Sequence, residues 1–199
     1  FVEQLSHSDA SVASLAGAAT AEELRAPADF ANIRDKTARS AQIFIEAGKV
    51  IQHPRCVNCH PAGDRPAQGD NGHPHEPPVV RGAADFGAPG MECTACHGAK
   101  NMAIPTESIR SVPGNPAWKL APLSMAWQGR TLADICRQIK DPARNGGRDL
   151  EKIRHHMADD DLVGWGWNPG EGRTPAPGTQ KQFGELIRAW IDSGAACPG

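Results

Sequence analysis

Large apolar side chains are scarce in this chain of 199 residues. Tyrosine is absent, and phenylalanine and tryptophan number five each, so that aromatic residues make up 5% of the chain. Glycine and proline, which favour turns, number 21 and 17. Few side chains are therefore available to fill a core of this size. We predict that a bound ligand supplies part of the apolar interior.

Two further absences narrow the class of protein. No apolar run approaches the ~18 residues that a membrane-spanning helix requires, and we therefore predict no transmembrane segment. The net charge is −2 and no run of lysine and arginine marks a basic patch, which removes the usual basis for binding nucleic acid. The chain begins at Phe1 instead of methionine, a start that fits either removal of a signal peptide or a shortened chain.

The regular structure that the sequence predicts is helical. Apolar residues recur at helical spacing in four segments, and no segment alternates as a strand would. We expect the fold to be mainly α, with an N-terminal extension over 1–30 and a single domain over 31–199. The four predicted helices cover 31–52, 131–140, 148–157 and 179–194.

A long stretch between the first two of these helices is rich in glycine and proline and predicts a loop over 61–92. A loop of this length inside a compact domain needs something other than secondary structure to hold it. Pro54 separates the first helix from the segment that precedes the loop.

That segment is "CVNCH" at 56–60, and the same arrangement returns as "CTACH" at 93–97. Two C-x-x-C pairs have three ordinary interpretations. A zinc site with four thiolates would usually have ~15–20 residues between the pairs, fewer than separate these two, and would not require histidine after each pair. A redox dithiol would need no second copy. The third interpretation, covalent haem c, gives every residue of the motif a task.

In this interpretation the two thiols add to the two vinyl groups of one porphyrin, and the following imidazole binds the iron. Cys56 and Cys59 would attach one haem and Cys93 and Cys96 a second, with His60 and His97 as proximal iron ligands. We therefore predict two covalently attached haem c groups. Their flat apolar faces would supply the interior that the sequence lacks, and their attachment would hold both ends of the Gly/Pro-rich loop.

The residues around the first motif resemble a known family. "GKVIQHPRCVNCH" (48–60) is similar to the N-terminal helix and attachment segment of class I c-type cytochromes, and "FGELIRAWIDSG" (183–194) is similar to their C-terminal helix. The resemblance implies a compact cytochrome c-like fold in which these helices cross. The interval between the motifs is too short for a complete class I domain. We therefore predict one domain with long loops wrapped around two neighbouring haems.

The whole chain, with "NGHPHEPPVVRG", "DPARNGGRDL" and "LVGWGWNPG", more weakly resembles small dihaem proteins described as isoquinoline 1-oxidoreductase subunits. This resemblance implies that the protein accepts electrons from a molybdenum hydroxylase.

The sixth ligand of each iron decides between electron transfer and catalysis, because a bound His or Met blocks access of small molecules. His156 is predicted to face inward from its helix, since its neighbours there are more apolar than those of His155. His75 and, less strongly, His73 lie in a proline-stiffened loop that could hold an imidazole over an iron. Met125 follows "APLS", a segment similar to the one before the distal methionine of class I cytochromes. Surface or packing roles remain open for all four residues.

The two remaining cysteines, Cys136 and Cys197, are expected to form a disulfide. In bacteria haem c is attached outside the cytoplasm, where disulfides persist. An axial thiolate or a free buried pair are the alternatives. Arg81 or Arg173 could pair with haem propionates, and Trp165 and Trp167 are expected to flank a haem edge; the sequence does not choose between the two arginines.

These features predict a periplasmic electron carrier or the electron-transfer subunit of a dehydrogenase. Its partners would be redox proteins, among them a molybdenum hydroxylase or another dehydrogenase. Two alternatives remain: an enzyme of the dihaem peroxidase type, and a haem-based gas sensor. Both of these would leave an iron open to small ligands, whereas the carrier would have two six-coordinate irons.

Overall fold

The computed structural model describes residues 22–106 and 109–199, and the first 21 residues of the predicted extension lie outside it. Within this part of the chain the regular structure is predominantly helical. It comprises six α-helices, of which two are single turns, and they cover Lys36–Ile51 (α1), Pro54–Val57 (α2), Leu132–Lys140 (α3), Leu150–Asp159 (α4), Asp161–Gly164 (α5) and Gln180–Asp192 (α6).

Side chains at the helix starts explain where the four predicted helices begin. Asp35 accepts a hydrogen bond from the Ala38 N–H group, so α1 starts at residue 36 and not at residue 31. Thr131 and Thr179 cap α3 and α6 in the same way. All four predicted helices are confirmed, with ends shifted by a few residues. The one large shift, at α1, follows from its cap.

Helices α1 and α6 pack against each other in the main core. The rings of Phe44 and Trp190 lie 4.8 Å apart, and both side chains are buried. The Ser40 hydroxyl donates a hydrogen bond to the Trp190 carbonyl at 3.0 Å. Helix α4 packs on α6 as well. The apolar faces of these three helices, together with α3, bury most of the large side chains in the described part of the chain.

Residues 22–30, which belong to the predicted extension, pack onto this core. Leu24 and Phe30 are buried, and the Arg25 N–H group donates to the Glu46 carboxylate at 3.0 Å. The Gly178 N–H group donates to the Glu22 carbonyl. This part of the extension is therefore continuous with the domain.

The long stretch between α2 and α3 carries three antiparallel ladders, each made of two-residue strands. The strands are Ala67–Gln68 (β1), His73–Pro74 (β2), Gly87–Ala88 (β3), Met91–Glu92 (β4), Met102–Ala103 (β5) and Ser111–Val112 (β6), paired in that order. An alternation of apolar and polar residues cannot be recognised over two residues, which explains why the sequence does not predict these strands. None of the helices in the described ranges is both long and apolar enough to cross a membrane.

Cys136 and Cys197 form a disulfide, as predicted. The bond joins the buried α3 to the segment after α6, where the Lys140 ammonium group also donates to the Ala195 carbonyl at 2.7 Å. The C-terminal segment is thus fastened to α3 at two points.

The first prediction concerns this disulfide. Replacing both cysteines (Cys136→Ala, Cys197→Ala) should lower the free energy of unfolding by about 2–4 kcal/mol, because the unfolded chain loses a cross-link between distant residues. Urea unfolding with and without dithiothreitol measures the effect. The reductant should destabilise the parent protein and leave the double variant unchanged; equal stability of the two proteins under oxidising conditions would contradict the prediction.

Candidate cofactor site

Each C-x-x-C-H motif lies on a short turn of helix. The first begins at Cys56 within α2, where Pro54 fixes the helix start and His53 accepts a hydrogen bond from the Arg55 N–H group. The His60 N–H group donates to the Val57 carbonyl at 3.0 Å. In the second motif the His97 N–H group donates to the Cys93 carbonyl at 2.9 Å. A helical turn brings residues three and four apart to one side, so each motif presents its cysteines and histidine together.

The motifs line two adjacent cavities. The first cavity, of about 1230 Å³ including its mouth, is lined by Cys56, Cys59 and His60. The second cavity, of about 1070 Å³ including its mouth, is lined by Cys93, Cys96 and His97, and also by Cys59.

The two motif histidines are held in the same manner. His60 donates from Nδ1 to the Met125 carbonyl at 2.7 Å, and its ring stacks on Trp127 with centroids 3.6 Å apart. His97 donates from Nδ1 to the Pro113 carbonyl at 2.9 Å and stacks on Trp118 at 4.7 Å. A carbonyl can only accept, so Nδ1 carries the proton and the Nε2 lone pair is free. This is the arrangement that orients a metal-binding histidine.

Burial shifts the pKa values of the motif side chains. It lowers the pKa of His60 to about 4 and also lowers that of His97, so both imidazoles stay neutral, as metal binding requires. Burial raises the pKa of the Cys56 thiol to about 12 and that of Cys59 to about 11. Reactive dithiols have lowered pKa values, and the first motif therefore lacks the electrostatics of a thiol-disulfide centre.

His75 lines the second cavity together with His97. Its Nδ1 donates to the Pro77 carbonyl at 2.9 Å, and the centroids of the two imidazoles are 6.0 Å apart. Two imidazoles on opposite sides of one metal ion, each bound at ~2.0–2.1 Å, have centroids about 6 Å apart. The spacing of His75 and His97 therefore fits a single ion between them.

His73 is exposed, donates from Nδ1 to the Asn71 side chain at 2.6 Å, and is not part of the wall of either cavity. Of the two loop histidines, the structure places only His75 at a site.

His156 lines the first cavity from α4, as the sequence predicts, and its Nδ1 donates to the Asp160 carboxylate at 3.1 Å. Met157, the next residue, also lines this cavity and is buried; it is not among the predicted ligands. Met125 contributes to the wall, but its carbonyl accepts from Nδ1 of His60 and so lies on the side away from Nε2. This position favours a packing role for Met125 over a distal one.

Positive side chains line both cavities. Arg81 and Arg173, between which the sequence does not choose, both line the second cavity, whereas Arg148 lines the first. Arg55 and Lys119 line both. The acidic residue in the second wall is Glu92 and that in the first is Asp85. This excess of cations suits a ligand that carries carboxylates.

Arg55 was not predicted as a site residue. The signal in the sequence was its position directly before Cys56, which fixes it beside the attachment point.

The cavities share a wall. Trp118 and Trp165 line both of them, and their rings meet edge to face with centroids 4.9 Å apart. The Trp165 indole N–H donates to the Asn101 side chain at 2.9 Å. Trp165 thus belongs to the shared wall, whereas Trp167 packs on Phe183 and lines neither cavity. The two cavities are therefore adjacent, and the predicted proximity of two haems stays a prediction.

Among residues 22–106 and 109–199, no group of three or more His, Cys, Asp or Glu side chains is arranged to hold a metal ion by itself. Comparisons of the chain with protein-family models, with curated proteins and with solved structures found no match.

A second prediction follows from the buried imidazoles. In the unfolded chain His60 has a pKa of 6.5, and in the folded chain a pKa of about 4. Between these values the unfolded state binds a proton that the folded state excludes, so stability falls as the pH is lowered through this range. The loss should reach about 3 kcal/mol, and His97 contributes in the same direction. A metal ion bound at Nε2 would also make the stability fall as the pH is lowered, because metal binding requires the neutral imidazole.

Urea unfolding at a series of pH values from 7.5 to 4 measures this dependence. A free energy of unfolding that stays constant over this range would refute the prediction.

Proposed function

We propose that the protein is a periplasmic electron-transfer protein with two covalently attached haem c groups. The observation that carries the proposal is the pair of adjacent cavities, each lined by a C-x-x-C-H motif whose imidazole has a free Nε2. A porphyrin supplies four ligands to its iron, so the protein needs to supply at most two. This fits side chains that form no larger metal-binding cluster in the described ranges.

In this proposal each residue of the motifs has a separate role. Cys56 and Cys59 form thioether bonds in the first cavity and Cys93 and Cys96 in the second. His60 and His97 bind iron through Nε2, and the carbonyls at Nδ1 orient their rings. Each haem supplies an iron that gains and loses one electron.

The sixth ligands favour a carrier. His75 lies 6.0 Å from His97 with its own Nδ1 held by a carbonyl, and we propose that this pair closes the second site on both sides. In the first site we propose His156, which lines the cavity and donates from Nδ1 to Asp160. An iron with two protein ligands exchanges electrons but has no position for peroxide or a gas, which weighs against the peroxidase and sensor alternatives.

The periplasmic location rests on chemistry. In bacteria haem c is attached outside the cytoplasm, and a disulfide such as Cys136–Cys197 persists in that compartment. A partner redox protein, such as a molybdenum hydroxylase or another dehydrogenase, would supply the electrons. Its contact would be small and transient, as is usual for electron-transfer complexes.

Production in a bacterial host that attaches haem c tests the proposal directly. Intact-mass measurement should give the polypeptide plus two haems, and Cys93→Ala with Cys96→Ala should remove one of them. The pair Cys136→Ala and Cys197→Ala, which removes as many cysteines, should keep both haems. A colourless protein with the mass of the bare chain would end the proposal.

The ligand assignment has its own test. The reduced protein should not bind carbon monoxide, because both irons are six-coordinate. His75→Ala should open one iron, so that carbon monoxide shifts the Soret band by the contribution of one haem. His73→Ala, two residues away in the same loop, should behave as the parent. Ready binding of carbon monoxide by the parent protein at either iron would contradict the carrier.

A further inference from the structure

Arg55 is a buried cation whose hydrogen bonding is incomplete. Its side chain is 1% exposed. One terminal nitrogen donates to the Gly69 carbonyl at 2.9 Å and to the Asp70 carboxylate at 2.6 Å, whereas Nε has no partner. A buried donor without an acceptor costs free energy that a folded protein normally avoids. The unpaired N–H group therefore indicates that an acceptor is missing at this position.

The position of Arg55 is unusual among the charged residues of the site. Together with Lys119 it lines both cavities, and it lies directly before Cys56 in the first motif. Its guanidinium carbon is 5.9 Å from the centroid of the Trp165 ring in the shared wall. Arg81 also has a buried, unpartnered Nε, but it lines the second cavity alone. Arg55 is thus the buried guanidinium common to both sites.

Asp70 neutralises Arg55 only in part. Its side chain is 47% exposed, and its oxygens also accept hydrogen bonds from the N–H and hydroxyl groups of Thr174, at 3.1 Å and 2.7 Å for Oδ2. Water and Thr174 therefore compete for this carboxylate, while Arg55 remains out of water. A second anion beside Arg55 would complete both its charge balance and its hydrogen bonding.

We infer that Arg55 is a positioning residue in the wall between the two sites, where its Nε donates to a haem propionate and its charge raises the reduction potential of both irons. The inference rests on the proposed function. Adding one electron to an iron lowers the charge of its site by one, and a nearby cation that is shielded from water stabilises the reduced form. Because the wall is common to both cavities, one side chain acts on both irons.

The test is a redox titration of the two-haem protein followed by absorbance. In Arg55→Gln both one-electron transitions should move to lower potential. We expect the reduction equilibrium constant to fall about tenfold for at least one of them, which corresponds to ~59 mV for one electron. Arg55→Lys retains the charge without the fork of donors and should restore most of the shift. Arg137→Gln removes an exposed arginine that lines neither cavity and should change neither potential.

Asp70→Asn separates the electrostatic role from a structural one. If Arg55 served only to hold the loop at Gly69 and Asp70, breaking the ion pair from either side would loosen the same contacts and shift the potentials in the same direction. If Arg55 acts by its charge, removing the neighbouring carboxylate should raise both potentials, opposite to Arg55→Gln. Unchanged or lowered potentials in Asp70→Asn would overturn the inference.

The remaining outcomes are distinct from failure of the proposed function. A chain without covalent haem would end both proposals. Two attached haems with potentials that Arg55→Gln leaves unchanged, or with only one of them shifted, would overturn the role of Arg55 alone. Should Arg55→Gln not retain both haems, the comparison of Arg55→Lys with Asp70→Asn decides. Potentials close to those of the parent in Arg55→Lys, together with raised potentials in Asp70→Asn, support the inference, and any other pair of results overturns it.

Discussion

The hydrogen bond from Nδ1 of His60 to the Met125 carbonyl is the contact on which the site depends. It joins the first motif to a segment more than sixty residues away, at 2.7 Å. The same segment donates backbone hydrogen bonds from Trp127 and Gln128 to the His60 carbonyl and from Ala121 to the Cys59 carbonyl. Backbone hydrogen bonds therefore hold the first motif against residues 121–128. This arrangement fixes which imidazole nitrogen faces the cavity, and so what the cavity can bind.

The second motif repeats this construction with less support. His97 is held by the Pro113 carbonyl and stacks on Trp118, but its surroundings are short ladders instead of helices. Cys96 is exposed, whereas Cys56 and Cys59 are more covered. In the first site, by contrast, the helical core forms one wall of the cavity through residues such as Ile139, Ile153 and Phe183. The two cavities present the same types of side chain, two cysteines and a histidine, in different dielectric surroundings.

Sequence periodicity predicts the helices well because α1, α3, α4 and α6 each bury an apolar face. The motif residues can also be singled out from the sequence, since the signal is their local spacing alone, and the structure places each motif in the wall of a cavity. The candidates for the sixth ligand of each proposed iron are harder to predict from the sequence. His73 and His75 lie in the same loop, on either side of Pro74, so the sequence does not separate them. In the structure His73 lies in β2, paired with Gln68, whereas His75 follows that strand and lines the second cavity. Met125 resembled a ligand by its local sequence, yet a contact with His60 over a long separation placed its backbone behind that ring.

Arg55 shows a further limit of prediction from sequence. A single arginine before a motif carries no periodic signal, and its significance comes from two loops that converge on it, one bringing Gly69 and Asp70 and the other Trp165. Such a convergence depends on tertiary contacts that no local pattern encodes.

The scarcity of large apolar residues has its structural counterpart in the second cavity. Its wall is built from residues such as Val79, Val80 and Met91 on loops and two-residue strands, and Val80 and Met91 are half exposed. Ladders of this length are marginal without a surface to pack on. A flat apolar ligand joined to Cys93 and Cys96 would bury these side chains and add covalent links where the chain has no helix. The composition and the cavity therefore favour the same proposal: in this half of the domain a bound ligand would supply the interior, whereas the helical half forms one by itself.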